Sequence, residues 1–295
     1  MKPWAVRLSL FALACASFSC SHPPKFPITD PAMALRHVRE RDQRVRQLRA
    51  HGSADHFGAQ GRIRGEVYVF VDRPSNVRVD TRAFGNTVSS LVTDGQRIAM
   101  TDFRNGQFYI GPAQACVAAQ LLGVPMEAAE VVALLAGGPP LYGGNAHIRW
   151  DDDHYVVDVQ GEGGQRESID MEITSDEREN ARPEQQHPRP VRAEMRDAQG
   201  VRAVLTFEDY TDVVGVPFPR RVRVVMERAN VDLVVRYREV SLDPDLPEDA
   251  FELTPPSTAL EVVPVSCDRP LAPPAPESDA GARGASADAT TAPSD

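Results

Sequence analysis

Thr87-Val88-Ser89-Ser90-Leu91-Val92-Thr93-Asp94-Gly95-Gln96-Arg97-Ile98-Ala99-Met100-Thr101-Asp102-Phe103-Arg104-Asn105-Gly106-Gln107-Phe108-Tyr109-Ile110 contains three short runs rich in β-branched and aromatic residues, separated by two tight turns. Asp-Gly and Asn-Gly tolerate the left-handed backbone that a short hairpin requires. Runs this short, joined this tightly, read as antiparallel strands. The same pattern extends both ways along the chain. Upstream, 66–71 and 76–81 flank Arg73-Pro74. Downstream, 155–160 and 168–173 flank Gly161-Glu162-Gly163-Gly164, 191–195 and 201–207 flank Gln199-Gly200, and 222–226 precedes 231–237. In 168–173, Ile169, Met171 and Ile173 alternate with Asp170 and Glu172, which gives one dry and one wet face. Strands and helices do not alternate regularly, which argues against a parallel α/β sheet.

Helical signals stand at two places. Thr29-Asp30-Pro31 opens a helix with a capping side chain and a proline in the first turn. Leu35, Val38, Val45 and Leu48 mark its apolar side, and Gly52 reads as its end. Arg36, Arg39, Arg41, Arg44, Arg46 and Arg49 decorate it, either as a solvated face or as an attraction to anionic headgroups. After Gly111-Pro112, 116–122 and 126–135 read as two short apolar helices around Gly123-Val124-Pro125. The second is apolar nearly all round, so it must be covered or must cover something greasy. The stretch 175–190 is charged, has no periodicity and reads as an exposed loop. The fold class expected is α+β: one curved antiparallel sheet of about 9–11 strands, an incomplete β-barrel, covered by a small helical lid. A sheet this long tends to curl.

Composition places this body in a setting. A formal net charge of −10 argues against a general nucleic-acid binder, and 42% apolar residues suffice for a core. Residues 1–19 have the positive start, short apolar run and small-residue end of an export signal. Cys20 follows as the expected lipid acceptor, with Cys15 as a rival. Residues 20–28 then form a lipidated tether, 29–267 the folded domain, and 268–295 an Ala-, Pro-, Ser- and Asp-rich tail expected to be disordered. Membrane attachment comes through the lipid. Acyl chains contribute about 0.8 kcal/mol per buried methylene. Cys116 and Cys267 are a possible disulfide in an oxidising envelope, the alternative being two separate thiols.

Arg73-Pro74-Ser75-Asn76-Val77-Arg78-Val79, then Leu91-Val92-Thr93-Asp94-Gly95-Gln96-Arg97-Ile98, then Phe251-Glu252-Leu253-Thr254-Pro255-Pro256 resemble, in order and spacing, the LolA/LolB-like superfamily. This superfamily comprises the periplasmic lipoprotein carrier, its outer-membrane receptor and related lipid-binding lipoproteins. The resemblance covers roughly residues 30–265. It implies an incomplete barrel with a helical lid over an apolar cavity that takes lipoprotein acyl chains or free lipid. The export signal and anchor place the protein in the bacterial envelope, and Ser21 directly after Cys20, rather than Asp, is compatible with the outer membrane, facing the periplasm; envelope proteins are the partners expected if it is an interaction module. In the carrier branch the arginine of the Arg-Pro motif bonds lid backbone and gates the cavity; the matching residue is Arg73. A lipid anchor suits a receptor or tethered binder better than a shuttle. The receptor's apolar loop residue has no counterpart in the polar 175–190 stretch.

The residues expected to line the cavity are Phe70, Leu91, Met100, Phe108, Leu205 and Met226 on strands. On the lid they are Leu121, Leu122, Val131, Leu134 and Leu135. A packed core has the same composition. The sequence has no nucleophile elbow, phosphate loop, dinucleotide fingerprint or Cys-x-x-Cys, so no enzyme activity and no cofactor are expected. Asp151-Asp152-Asp153-His154 is dense in oxygen ligands, but neighbouring strand residues point to opposite sides, so no metal is expected there. A membrane-anchored interaction module with a filled core is the alternative to a lipid binder.

Overall fold

The computed structural model describes residues 22–58, 61–255 and 260–269. The export signal, Cys15, Cys20 and residues 270–295 lie outside the described residues.

The chain begins with helix α1 (Pro31–Arg44), capped by Asp30, whose carboxylate accepts from the Ala32 N–H at 2.9 Å. Six strands follow: β1 (Gln47–Gly58), β2 (Gly61–Asp72), β3 (Asn76–Ala83), β4 (Asn86–Thr93), β5 (Arg97–Asp102) and β6 (Gln107–Pro112). Helices α2 (Ala115–Leu122) and α3 (Ala128–Leu135) interrupt them. Then come β7 (Asn145–Asp151), β8 (His154–Gln160), β9 (Arg166–Glu172), the short helix α4 (Ser175–Asn180), β10 (Arg189–Asp197), β11 (Gly200–Val213), β12 (Val216–Met226), β13 (Val231–Leu242) and β14 (Glu261–Pro264). These strands make one open sheet of 14, in the order β14-β6-β5-β4-β3-β2-β1-β13-β12-β11-β10-β9-β8-β7. Every neighbouring pair is antiparallel except β14, which lies parallel to β6.

Three strands exceed the sequence expectation: β1, β7 and β14. The largest difference is β1, which the apolar spacing of Val45 and Leu48 assigned to the helix. The helix stops at Arg44, and 47–58 pairs along its length with β2 on one side and β13 on the other. Gly52, which read as a helix end, sits at a bulge in this ladder. A Cβ there would lie 2.0 Å from the Arg236 carbonyl oxygen, so only glycine allows the strands to meet. The 175–190 stretch also differs from the expected loop. A Thr174–Glu177 capping box starts α4. The buried Gln186 accepts from the Tyr155 hydroxyl at 2.7 Å and donates to the Phe26 carbonyl at 2.7 Å, which ties the N-terminal segment down.

The sheet is curled. β3 and β11 are five strand steps apart, about 24 Å on a flat sheet. A helix is only about 10–12 Å across with its side chains. Yet α3 packs on β2 and β3 and also bonds Arg202 on β11. Its inner face carries the core, including Val67, Val69 and Val71 of β2 and Ala203, Leu205 and Phe207 of β11. Two helical covers share that face. Helix α1 lies against β7, β8, β10 and β12, whereas α2 packs on β5 and β6 and α3 on β2 and β3.

Candidate functional site

The α2–α3 pair is the most apolar segment of the body, and the way it is fastened defines the site. Helix α2 closes on Gly123 in the left-handed region (φ 72°), and Val124-Pro125-Met126 leads into α3. The pair meets the sheet along a seam with Val77, Leu91 and Ile98 below and Leu122, Met126 and Val131 above. Thr93 is the one polar side chain on this lining. The space left is about 10 Å³, room for one water molecule at most. The seam is therefore closed, and an alkyl chain can enter only if the helices move away.

Polar fastenings sit on α2, at the start of α3 and just after it. At the start of α3, Glu130 is buried and takes both Nη atoms of Arg202, one of them at 3.0 Å. The Tyr142 hydroxyl donates to the same carboxylate at 3.0 Å. Arg202 faces inward because of a bulge: Met195 pairs with Ala203 and Arg196 with Val201, leaving Arg202 unopposed and re-aimed. Burial alone would lower the Arg202 pKa, but the Glu130 carboxylate more than reverses this and raises it.

After α3, Gly137 turns in the left-handed region (φ 77°). The buried Arg41 of α1 donates to the Ala136 carbonyl at 2.6 Å and to Asp42 at 3.1 Å. Arg73 donates to Asp42 at 2.8 Å and to the Val45 carbonyl at 3.2 Å. Burial raises the Asp42 pKa, opposed by Arg73 and Arg41, while burial lowers that of Arg73. The fully buried Tyr237 on β13 donates to the Leu135 carbonyl at 2.9 Å. At the start of α2, Cys116 is joined to Cys267 just beyond β14, with Cα atoms 5.6 Å apart. Gln120 donates to the Ser266 carbonyl at 3.0 Å beside it.

No protein-family model matches the chain, and no curated protein matches it significantly in sequence. Solved structures do match. A DUF1329 family protein from Desulfovibrio piger aligns over 75% of this chain and 95% of its own, at a TM-score of 0.53 and 12% identity. A domain described as an outer membrane lipoprotein-sorting protein, from Vibrio parahaemolyticus, aligns over 75% and 97%, at 0.52 and 11%. The fold is LolA-like. A LolA superfamily protein from Nitrosomonas europaea also aligns, over 76% and 98%, at a TM-score of 0.47 and 13% identity.

The LolA-like sheet sorts the residues that the sequence nominated. Leu91, Leu122 and Val131 line the seam, and Met100, paired with Leu91, shares their face. Leu121, Leu134, Leu135, Leu205 and Met226 are buried in the core beyond it. Phe70 and Phe108 are corrections. Strand alternation fixes both on the outer face: Phe70 lies between the inward Val69 and Val71, and Phe108 pairs with Thr101. Val77, Ile98 and Met126 were missed because short strands and a Pro-flanked loop hid their parity. Arg73 also differs in its contacts. It bonds the end of α1, and the guanidinium that reaches backbone after α3 is Arg41, which the sequence had placed on an exposed helix face. Asp151–His154 forms the β7–β8 turn, with Asp152 and Asp153 at positive φ. Among the described residues no cluster suited to a metal is present.

The outer face of the LolA-like sheet carries two depressions. A groove of about 680 Å³ crosses β7–β10, but its charges pair with one another: Arg149 with Asp151 and Asp158, Arg192 with Asp170 and Glu194, Arg196 with Glu194. A second, of about 240 Å³, lies between Val92, Thr101 and Phe108 and the 249–254 segment.

Proposed function

We propose that this protein is a non-enzymatic lipid binder of the bacterial envelope, anchored through Cys20, that holds acyl chains between its sheet and the α2–α3 lid. One observation carries this reading. The α2–α3 pair meets the sheet through an almost wholly apolar seam, and its named polar fastenings are few: the disulfide and Gln120 on α2, Glu130 at the start of α3, and the Leu135 and Ala136 carbonyls at its end. Such a cover parts from the sheet at the loss of few polar contacts, of which the Glu130–Arg202 pair is the one between opposite charges. A guest that replaces it restores the lost apolar contact at about 25 cal/mol per Å². The lipoprotein-sorting domain from Vibrio parahaemolyticus, similar in fold, agrees with this reading and with an outer-membrane site of action.

A second reading rests on the closed seam. With about 10 Å³ free, the interior is complete by itself, as in an anchored interaction module with a filled core. Uptake of a fluorescent acyl probe by the Cys20→Ser chain, alongside native mass spectrometry, separates the two. Saturable uptake and co-purifying lipid are expected. Their joint absence leaves the interaction module.

A further inference from the structure

The Glu130–Arg202 pair has a consequence for ligand class, and it rests on the lipid-binding reading above. Glu130 sits on α3, the element that must lift, between Ala128 and Val131, which line the seam. Arg202 sits on β11, part of the sheet that stays. When α3 lifts, the carboxylate leaves with it. Arg202 is then an unpaired guanidinium on a wall built from Met195, Ala203 and their buried neighbours. Arg202 then keeps the Tyr142 hydroxyl at 2.7 Å but has lost the carboxylate that matched its fork. Glu167, another acid close enough to feel Arg202, does not repair this. Glu167 is 1% exposed, its Oε2 accepts from the Tyr142 N–H at 3.3 Å, and its Oε1 has no hydrogen-bond partner. Burial pushes its pKa up to about 8, which favours its neutral form over the carboxylate that Arg202 would need.

We infer that Arg202, with the Tyr142 hydroxyl, is the head-group site for a long-chain carboxylate, and that Glu130 is the built-in stand-in occupying it while the lid is closed. The geometry is that of a forked guanidinium meeting a carboxylate with two parallel hydrogen bonds and a third from tyrosine. The curl brings β11 and β3 under the one helix α3, so an alkyl tail running from Arg202 toward β3 lies on the apolar inner face beneath it. A head at Arg202 thus sets the tail across the face that α3 vacates. Exchange of one carboxylate for another keeps Arg202 paired throughout, so lid opening is coupled to capture of the head.

The test uses the Cys20→Ser chain at about pH 7, well above the unperturbed carboxyl pKa so that a fatty acid head is ionised, and displacement of a bound fluorescent acyl probe. Hexadecanoic acid and hexadecanol have the same tail and differ in the head. The acid is expected to displace the probe at about tenfold lower concentration, the weight of one charge-assisted hydrogen bond. Arg202→Gln should erase that advantage, and Glu130→Gln should enlarge it by removing the competitor. Because Arg202→Gln strands Glu130, the double variant Glu130→Gln/Arg202→Gln provides a neutral pair, and there too acid and alcohol should be equal. Equal potency in the unsubstituted site, or an acid advantage that survives in the double variant, overturns the inference while leaving lipid binding intact. Failure of the probe itself to bind overturns both.

Discussion

One sheet carries two helical covers, and they are built differently. Helix α1 is amphipathic: Ala34, Leu35 and Val38 are buried, while Arg36, Arg39 and Arg44 face solvent. It is capped by its own side chain and runs within three residues into the central strand β1. The α2–α3 pair has no comparable polar face, lies between two connecting segments, and is fastened by a disulfide, a carboxylate and two carbonyls. A helix with a wet face is made to stay where it is. A pair that is greasy on most sides is stable against either this sheet or another apolar surface. The α2–α3 pair buries more apolar side chains than α1 does, so the difference between the covers lies in the polar face that only α1 carries.

The most damaging way to break the comparison is at the joint the two covers share. Arg41→Met removes the donor to Ala136 and leaves Asp42 with Arg73 alone, so both covers lose a fastening. Breaking a buried pair of this kind costs about 3–5 kcal/mol, to be read from urea unfolding. Leu35→Ala attacks the fixed cover alone and should cost about 2–5 kcal/mol without changing the number of acyl-probe sites. If probe uptake disappeared with it, α1 would be part of the moving lid.

Two further changes sharpen the contrast on the other cover. Cys116→Ser releases the start of α2 from Cys267, with an expected loss of about 2–4 kcal/mol and faster probe entry. Unchanged entry would place the moving part in α3 alone. Glu167 supplies the pH dependence. Its folded pKa of about 8 lies above the unfolded value, so the folded state binds more protons between roughly pH 4.5 and 8. Stability from this group is fully present at the acid end of that window and falls as pH rises through it. Glu167→Gln should flatten that part of the curve. A decline of equal steepness in the variant would locate the titrating group elsewhere.

Much of the sheet was legible because hairpins are local. Asp94-Gly95, Asn105-Gly106 and Gln199-Gly200 each specify a turn, and each turn fixes two strands. What was hidden depends on distant partners. β14 is four residues long and finds β6 across 150 residues of chain, a separation no local pattern reports. β1 was masked because Val45 and Leu48 continue a helical spacing that only pairing with β2 and β13 overrides. The α2–α3 pair was legible as two apolar helices, but its fastenings were not. Arg41 carries no mark that separates it from five neighbouring arginines. Arg202 should point outward by strand alternation, and only the β10–β11 bulge turns it in.

The smallest expected effect is also the cleanest comparison, because one substitution can be made in both covers. Val38 of α1 is 1% exposed, and Val131 of α3 lines the seam and is only partly buried. Each loses two methyl groups on change to alanine. Val38→Ala leaves a hole in a fixed wall, so its cost should approach about 1.5–2 kcal/mol, with probe affinity unchanged. Val131→Ala enlarges a gap that already exists, so its stability cost should be roughly half of that. Its main effect should appear in probe binding, because the same methyls lie where the acyl chain is to pass. If the two variants proved equal in stability and silent in binding, both covers would belong to one filled core. The asymmetry between them would then be one of composition without consequence for ligand uptake.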